Sequence, residues 1–124
     1  MARYVLIALG GAAGAIARYQ VAAAIQSRLP SVFPWGTFVV NVTGCFVMGC
    51  AMALLTERIG AHQNWRFLVP IGFIGAYTTF STFEFETYRA VVEGTWFAAG
   101  ANVLGSVVAG YVALWLGIVL GRLV

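Results

Sequence analysis

Charge is placed along this chain in a way that leaves one kind of fold. Its seven basic residues, all arginine, and its four glutamates stand at Arg3, Arg18, Arg28, Glu57, Arg58, Arg66, Glu84, Glu86, Arg89, Glu93 and Arg122. Between these points run long apolar stretches, each able to cross a hydrocarbon core, which takes about 20 helical residues. Tyr4, Trp35, Trp65 and Trp96 stand at or just before the starts of those stretches, where interfacial aromatic rings sit. The pattern predicts an all-α membrane protein with four transmembrane helices and very short loops. The expected spans are residues 4–26, 35–57, 66–92 and 96–121, in a single domain over 1–124. At 61% hydrophobic and 9% charged residues, nothing is left over for a water-soluble domain.

Several function classes fall away on the same evidence. A formal net charge of +3, scattered over the chain, is no footprint for nucleic acid. The chain offers no Ser-His-Asp or Cys-His set, metal-ligand cluster or phosphate loop, so it does not read as an enzyme. Cys45 and Cys50 share one span and are turned about 140° apart, which excludes a disulfide between them and leaves them as small packing residues. His62, alone in the loop between the second and third spans, is expected to be solvated. Ala22-Ala23-Ala24 superficially resembles a signal cleavage site, but Arg18 and Gln20 interrupt the apolar region before it, so the first stretch is expected to stay as a span.

Most of the chemistry lies in the third stretch. From Phe67 to Phe83 the chain is uncharged yet carries Tyr77, Thr78, Thr79, Ser81 and Thr82. As a helix the run would cover about 25 Å, most of a hydrocarbon core. So many hydroxyls are tolerated there only if they bond backbone, face protein or line a wet path. Gly72, Gly75 and Ala76 followed by Thr78-Thr79 make a poor continuous helix, with a break expected over 75–79 and a simple kink at Pro70 or the glycines as the other reading. Unwound carbonyls at such a break suit a small cation.

Beyond the break, Phe80 and Phe83 share a face, as do Thr79 and Thr82. A phenyl ring is electron-poor at its edge, so two rings edge-on beside hydroxyl donors would pass a small anion; plain core packing is the alternative. Asn41 in the second span and Asn102 with Ser106 in the fourth add uncharged donors, or serve as glue between helices. Arg18 can snorkel to the surface, pair with an acid, or draw anions to a pore mouth.

Small residues recur at GxxxG spacing in Gly10/Gly14 and Gly117/Gly121, which points to close helix packing. Four spans enclose little volume, so the chain is expected to oligomerise. Arginines divide four to three between the two sides, counting Arg18 with the latter, which is compatible with ordinary insertion or with insertion in both orientations. A proton-coupled exporter of cationic drugs would need a membrane-buried carboxylate, and all four glutamates lie near expected span ends. A non-transporting assembly subunit would need neither the polar string nor a broken helix.

Three stretches together resemble the Fluc (CrcB-type) family of fluoride channels: 10–19, the Gly36-Thr37-x-x-x-Asn41 segment through Gly44, and Gly72 through Phe83 with its Thr-Thr-Phe-Ser-Thr-Phe string. The resemblance implies an antiparallel homodimer with two pores, in the bacterial cytoplasmic (inner) membrane, exporting fluoride passively and relieving its toxicity. By matching position it implies Phe80 and Phe83 as pore-lining rings and Asn41 as a polar pore residue. Thr79, Ser81, Thr82 and Ser106 would supply hydroxyl contacts, and Arg18 would face a vestibule. It further implies that the Gly75 and Thr78 backbone carbonyls hold a structural Na+ at the dimer centre. Glu84, Tyr77 and Gly110 depart from the pattern: Glu84 would oppose anion entry unless neutralised, Tyr77 is bulkier than expected, and Gly110 lacks a hydroxyl.

Overall fold

A computed structural model describes residues 1–58 and 63–123, leaving aside the side chains of Glu57 and Arg58. The expectation for His62 lies outside the described residues. Helix α1 runs Ala2–Arg28, and α2 runs Trp35–Ala53 and continues through a widened turn at Leu54–Arg58. Helix α3 is built of Asn64–Arg66, Phe67–Ile74 and Gly75–Tyr77 in direct succession. Helix α4 is Phe80–Val92 and α5 is Trp96–Leu123. Among the described residues there is no strand.

Three helices, Ala2–Arg28, Trp35–Thr56 and Trp96–Leu123, are each long and apolar enough to cross a membrane. The third stretch of the sequence is instead shared between α3 and α4, because the chain leaves helical geometry between them. Thr78 (φ −80°, ψ 156°) and Thr79 (φ −148°, ψ 119°) are extended, inside the expected break. Pro70 does not kink the chain apart. It sits within Phe67–Ile74, where the helix widens to i→i+5 pairing and so accommodates a residue with no N–H.

Two close helix pairs form the framework. Helix α1 lies against α3 through Gly10 and Gly14: a Cβ on Gly14 would overlap the Phe73 carbonyl oxygen, and one on Gly10 would come 2.9 Å from the Phe73 nitrogen. Helix α2 packs along α5, where a Cβ on Gly117 would overlap the Phe46 carbonyl oxygen and one on Gly49 that of Leu114. Where lipid replaces water, such backbone-to-backbone approach is the main source of helix adhesion. Both GxxxG pairs are thus used, each against a different partner.

The ends are tied locally. Gln26 accepts from the Gly36 N–H at 3.1 Å, joining the end of α1 to the start of α2. Phe33, Trp35 and Phe38 cluster there with ring centroids 4.6 to 5.8 Å apart. Helix α4 stops at Gly94 (φ +76°), with Thr95 N–H bonded to the Ala90 carbonyl at 2.8 Å and Gly94 N–H to that of Val91 at 3.1 Å. That paired closure needs a left-handed residue, which glycine supplies. Large apolar side chains such as Phe97 and Leu104 cover the outside. Cys45 and Cys50 are free and half-buried, in keeping with packing roles.

Candidate functional site

The extended pair at Thr78 and Thr79 is held by three side chains. Thr79 caps α4: its hydroxyl oxygen accepts from the Thr82 N–H at 3.3 Å and its proton goes to the Thr82 hydroxyl at 3.1 Å. Asn41, on α2, accepts the Thr79 N–H at 2.8 Å and donates to the Thr79 carbonyl at 3.0 Å. Thr78 turns its hydroxyl back to the Ile74 carbonyl at 3.1 Å.

These bonds decide which backbone oxygens are left over. In an unbroken helix the Gly75 carbonyl would accept from Thr79 N–H and the Thr78 carbonyl from Thr82 N–H. Asn41 takes the first donor and the Thr79 hydroxyl takes the second. Gly75 and Thr78 are therefore carbonyls without their helical donors, the kind of neutral oxygen a small hard cation accepts. Gly75 lies on the exposed surface of the protomer.

Two cavities flank the break. One, of about 440 Å³, is lined by Asn41, Thr78, Thr79, Phe80, Phe83 and Ser106, with Cys45 beside them. The other, of about 390 Å³, is lined by Arg18, Gln26, Thr37, Thr79, Thr82 and Glu86. Thr79 lines both, and so stands between them. Phe80 and Phe83 have ring centroids 5.7 Å apart and planes inclined by 35°. Phe83 is buried, whereas Phe80 is 73% exposed on the protomer.

Most residues singled out from the sequence meet here, and the exceptions are specific. Ser81 is exposed and lines neither cavity, and Glu84, also exposed, lines neither. Ser106 borders the first cavity with its hydroxyl proton given to Asn102 at 3.2 Å. Tyr77 stacks on Phe73 (centroids 5.9 Å apart, planes at 8°) and shares a hydrogen bond with Thr43 at 3.0 Å, so its bulk is absorbed by packing. A Cβ on Gly110 would stand 3.4 Å from the Cys45 sulfur, which fills the space beside that glycine.

Thr37 and Glu86 were not legible as site residues. Glu86, one of the four acids expected near span ends, lies within α4, half-buried and lining the second cavity beside Thr37. Its Oε2 atom and the Nε atom of Arg18 are both shut off from solvent without a hydrogen-bond partner among the described residues. The available signal was spacing: Glu86 lies one turn after Thr82 and so shares its face. Arg18 and Glu86 give this cavity one basic and one acidic side chain.

Comparison with known proteins adds the chemistry. The family model described as "CrcB-like protein, Camphor Resistance (CrcB)" matches residues 5–118. The chain is 57% identical to the fluoride-specific ion channel FluC of Solibacter usitatus over 97% of this chain and 98% of that one. It is 49% identical to the FluC of Acidobacterium capsulatum, covering 97% and 96% of the two chains. With the FluC of Nitratidesulfovibrio vulgaris it shares 43% identity over the whole of both.

Proposed function

We infer function from the premise that this chain belongs to the CrcB family: it is a fluoride-specific ion channel, a multi-pass membrane protein. Fluoride passes by way of the break between α3 and α4. It enters past Arg18, exchanges water for the hydroxyl of Thr82 and for that of Thr79, which turns its proton from Thr82 to the ion, and moves along the edges of Phe80 and Phe83 toward Ser106. The observation that carries this reading is the position of Thr79 on both cavities.

The chemistry suits the ion. Fluoride is small and holds its water tightly, so a path must return several short donor contacts at once. Hydroxyls, an amide and positive ring edges do so without a fixed positive charge that would trap it. Transport is passive, down the gradient left when HF enters a cell and ionises, and it lowers cytoplasmic fluoride in the bacterial inner membrane. Two chains in opposite orientations form the working unit, with one pore each. Ser81 and the exposed ring of Phe80 are completed in that assembly by the second copy.

The Gly75 and Thr78 carbonyls of each chain would hold a structural Na+ where two copies meet. Their fit rests on the loss of both helical donors described above. When bound, the cation supplies positive charge that neutralises the carbonyl dipoles and ties the two breaks together.

A fluoride electrode tests the activity. Purified protein in liposomes should release fluoride rapidly and chloride negligibly, with no pH gradient imposed. Release no faster than from protein-free liposomes rejects the channel. A detergent-solubilised mass of one chain rejects the dimer independently.

A further inference from the structure

Asn41 does more at this site than line it. Its side chain and the Thr79 backbone exchange two hydrogen bonds, with Thr79 N–H given to Oδ1 at 2.8 Å and Nδ2 given to the Thr79 carbonyl at 3.0 Å. The orientation of the amide is forced, because a flipped amide would set donor against donor and carbonyl against carbonyl. This is the pairing one strand residue offers another, made by a side chain from a different helix. It leaves one Nδ2 hydrogen uncommitted, on a residue that lines the first cavity.

The consequence is on the backbone. Thr79 N–H is the donor that would close the helix onto the Gly75 carbonyl, and it is engaged elsewhere. Thr79 is also the cap of α4, and its hydroxyl fixes Thr82. The first turn of α4 carries both rings, Phe80 and Phe83. Removing the Asn41 amide would release Thr79 N–H and carbonyl together, 38 residues away along the chain, in surroundings where an unpaired backbone group costs most.

We propose that Asn41 is the positioning residue that keeps the third membrane segment broken: its amide substitutes for the helical pairing of Thr79 and thereby sets where Phe80, Phe83 and the Gly75 carbonyl stand. This rests on the fluoride-channel reading for its effect on flux, but its effect on backbone conformation is independent of transport. The remaining Nδ2 hydrogen serves the ion only after the break has been set.

The test is solid-state NMR of full-length, carbon-13 and nitrogen-15 labelled protein in bilayers, beside fluoride efflux from liposomes. In the unaltered chain the Thr78 and Thr79 carbon shifts should have extended-backbone values. In Asn41→Ala they should move toward helical values, and fluoride efflux should fall by roughly tenfold, the factor that hydrogen bonds of ordinary worth carry. Asn41→Leu keeps the volume of the side chain without its hydrogen-bonding groups, and should move the shifts in the same direction. Asn102→Ala also removes an interhelical amide, and should leave the Thr78 and Thr79 shifts in place, separating this role from general loosening. Extended shifts retained in Asn41→Ala overturn the proposal, whatever the flux. If Asn41→Ala does not fold, Asn41→Leu decides: extended shifts at Thr79 overturn it, and helical shifts support it. Failure of the unaltered protein to pass fluoride would count against the channel and leave the shift result standing by itself.

Discussion

Asn102 gives its amide proton to the Thr87 hydroxyl across the α4–α5 contact at 2.9 Å. At 1% exposure it is among the most buried side chains of the protein. Thr87 passes its own proton to the Phe83 carbonyl at 2.8 Å, and Ser106 gives its proton to the Asn102 oxygen at 3.2 Å. One amide therefore links the serine at the cavity wall to the backbone that carries an aromatic ring.

Asn102→Leu should break that link, lowering stability by about 1 kcal/mol, within the range of hydrogen bonds between membrane helices, and slowing fluoride efflux. Denaturant titration in detergent and a fluoride electrode measure the two effects. Unchanged efflux would show that Ser106 needs no orientation by Asn102.

Gly14→Val should prevent α1 from seating on α3, because its Cβ would overlap the Phe73 carbonyl oxygen. Overpacking of this kind costs about 1–3 kcal/mol or more. A Cβ on Gly100 meets nothing within 4 Å, so Gly100→Ala should be tolerated. Size-exclusion profiles and melting of the two variants compare them directly, and equal behaviour would refute the packing argument.

Phe80→Ile and Phe83→Ile should each slow fluoride efflux by removing a ring edge from the path. They should differ in stability. Phe83 is 7% exposed and Phe80 73% within the single chain, so the Phe83 change should lower the melting temperature more. Efflux at the unaltered rate in both variants would remove the rings from the pathway.

Arg18→Gln should reduce fluoride entry more at low ionic strength than at high. The charge acts through the field at the cavity mouth, whose reach shrinks from about 30 Å at 0.01 M salt to about 8 Å at 0.15 M. Efflux measured across that range gives the slope. A deficit independent of salt would mean that Arg18 works by packing.

The helices were legible in the chain because hydropathy and period are local properties. Expected spans 35–57 and 96–121 correspond to Trp35–Ala53 with its continuation through Leu54–Arg58 and to Trp96–Leu123. The break was legible for a related reason: glycines followed by consecutive threonines offer the backbone local alternatives to the helix. The extended residues proved to be Thr78 and Thr79, and Pro70, the rival cause, was absorbed by a widened turn. Glu86 escaped notice because its face, turned inward beside Thr37 and Arg18, is set by how α4 meets α1 and α2.

By itself, the order of residues determined that this chain carries helices able to cross a membrane, that its third apolar stretch is interrupted, and that uncharged donors gather near the interruption. Tertiary structure decided which glycine pair faces which helix, that Asn41 spends its amide on the Thr79 backbone, and that Thr79 stands between two cavities. The physical reason is range. Burial of apolar residues is summed over neighbours in sequence, whereas a hydrogen bond between residues 38 apart exists only once packing has brought two helices to one depth.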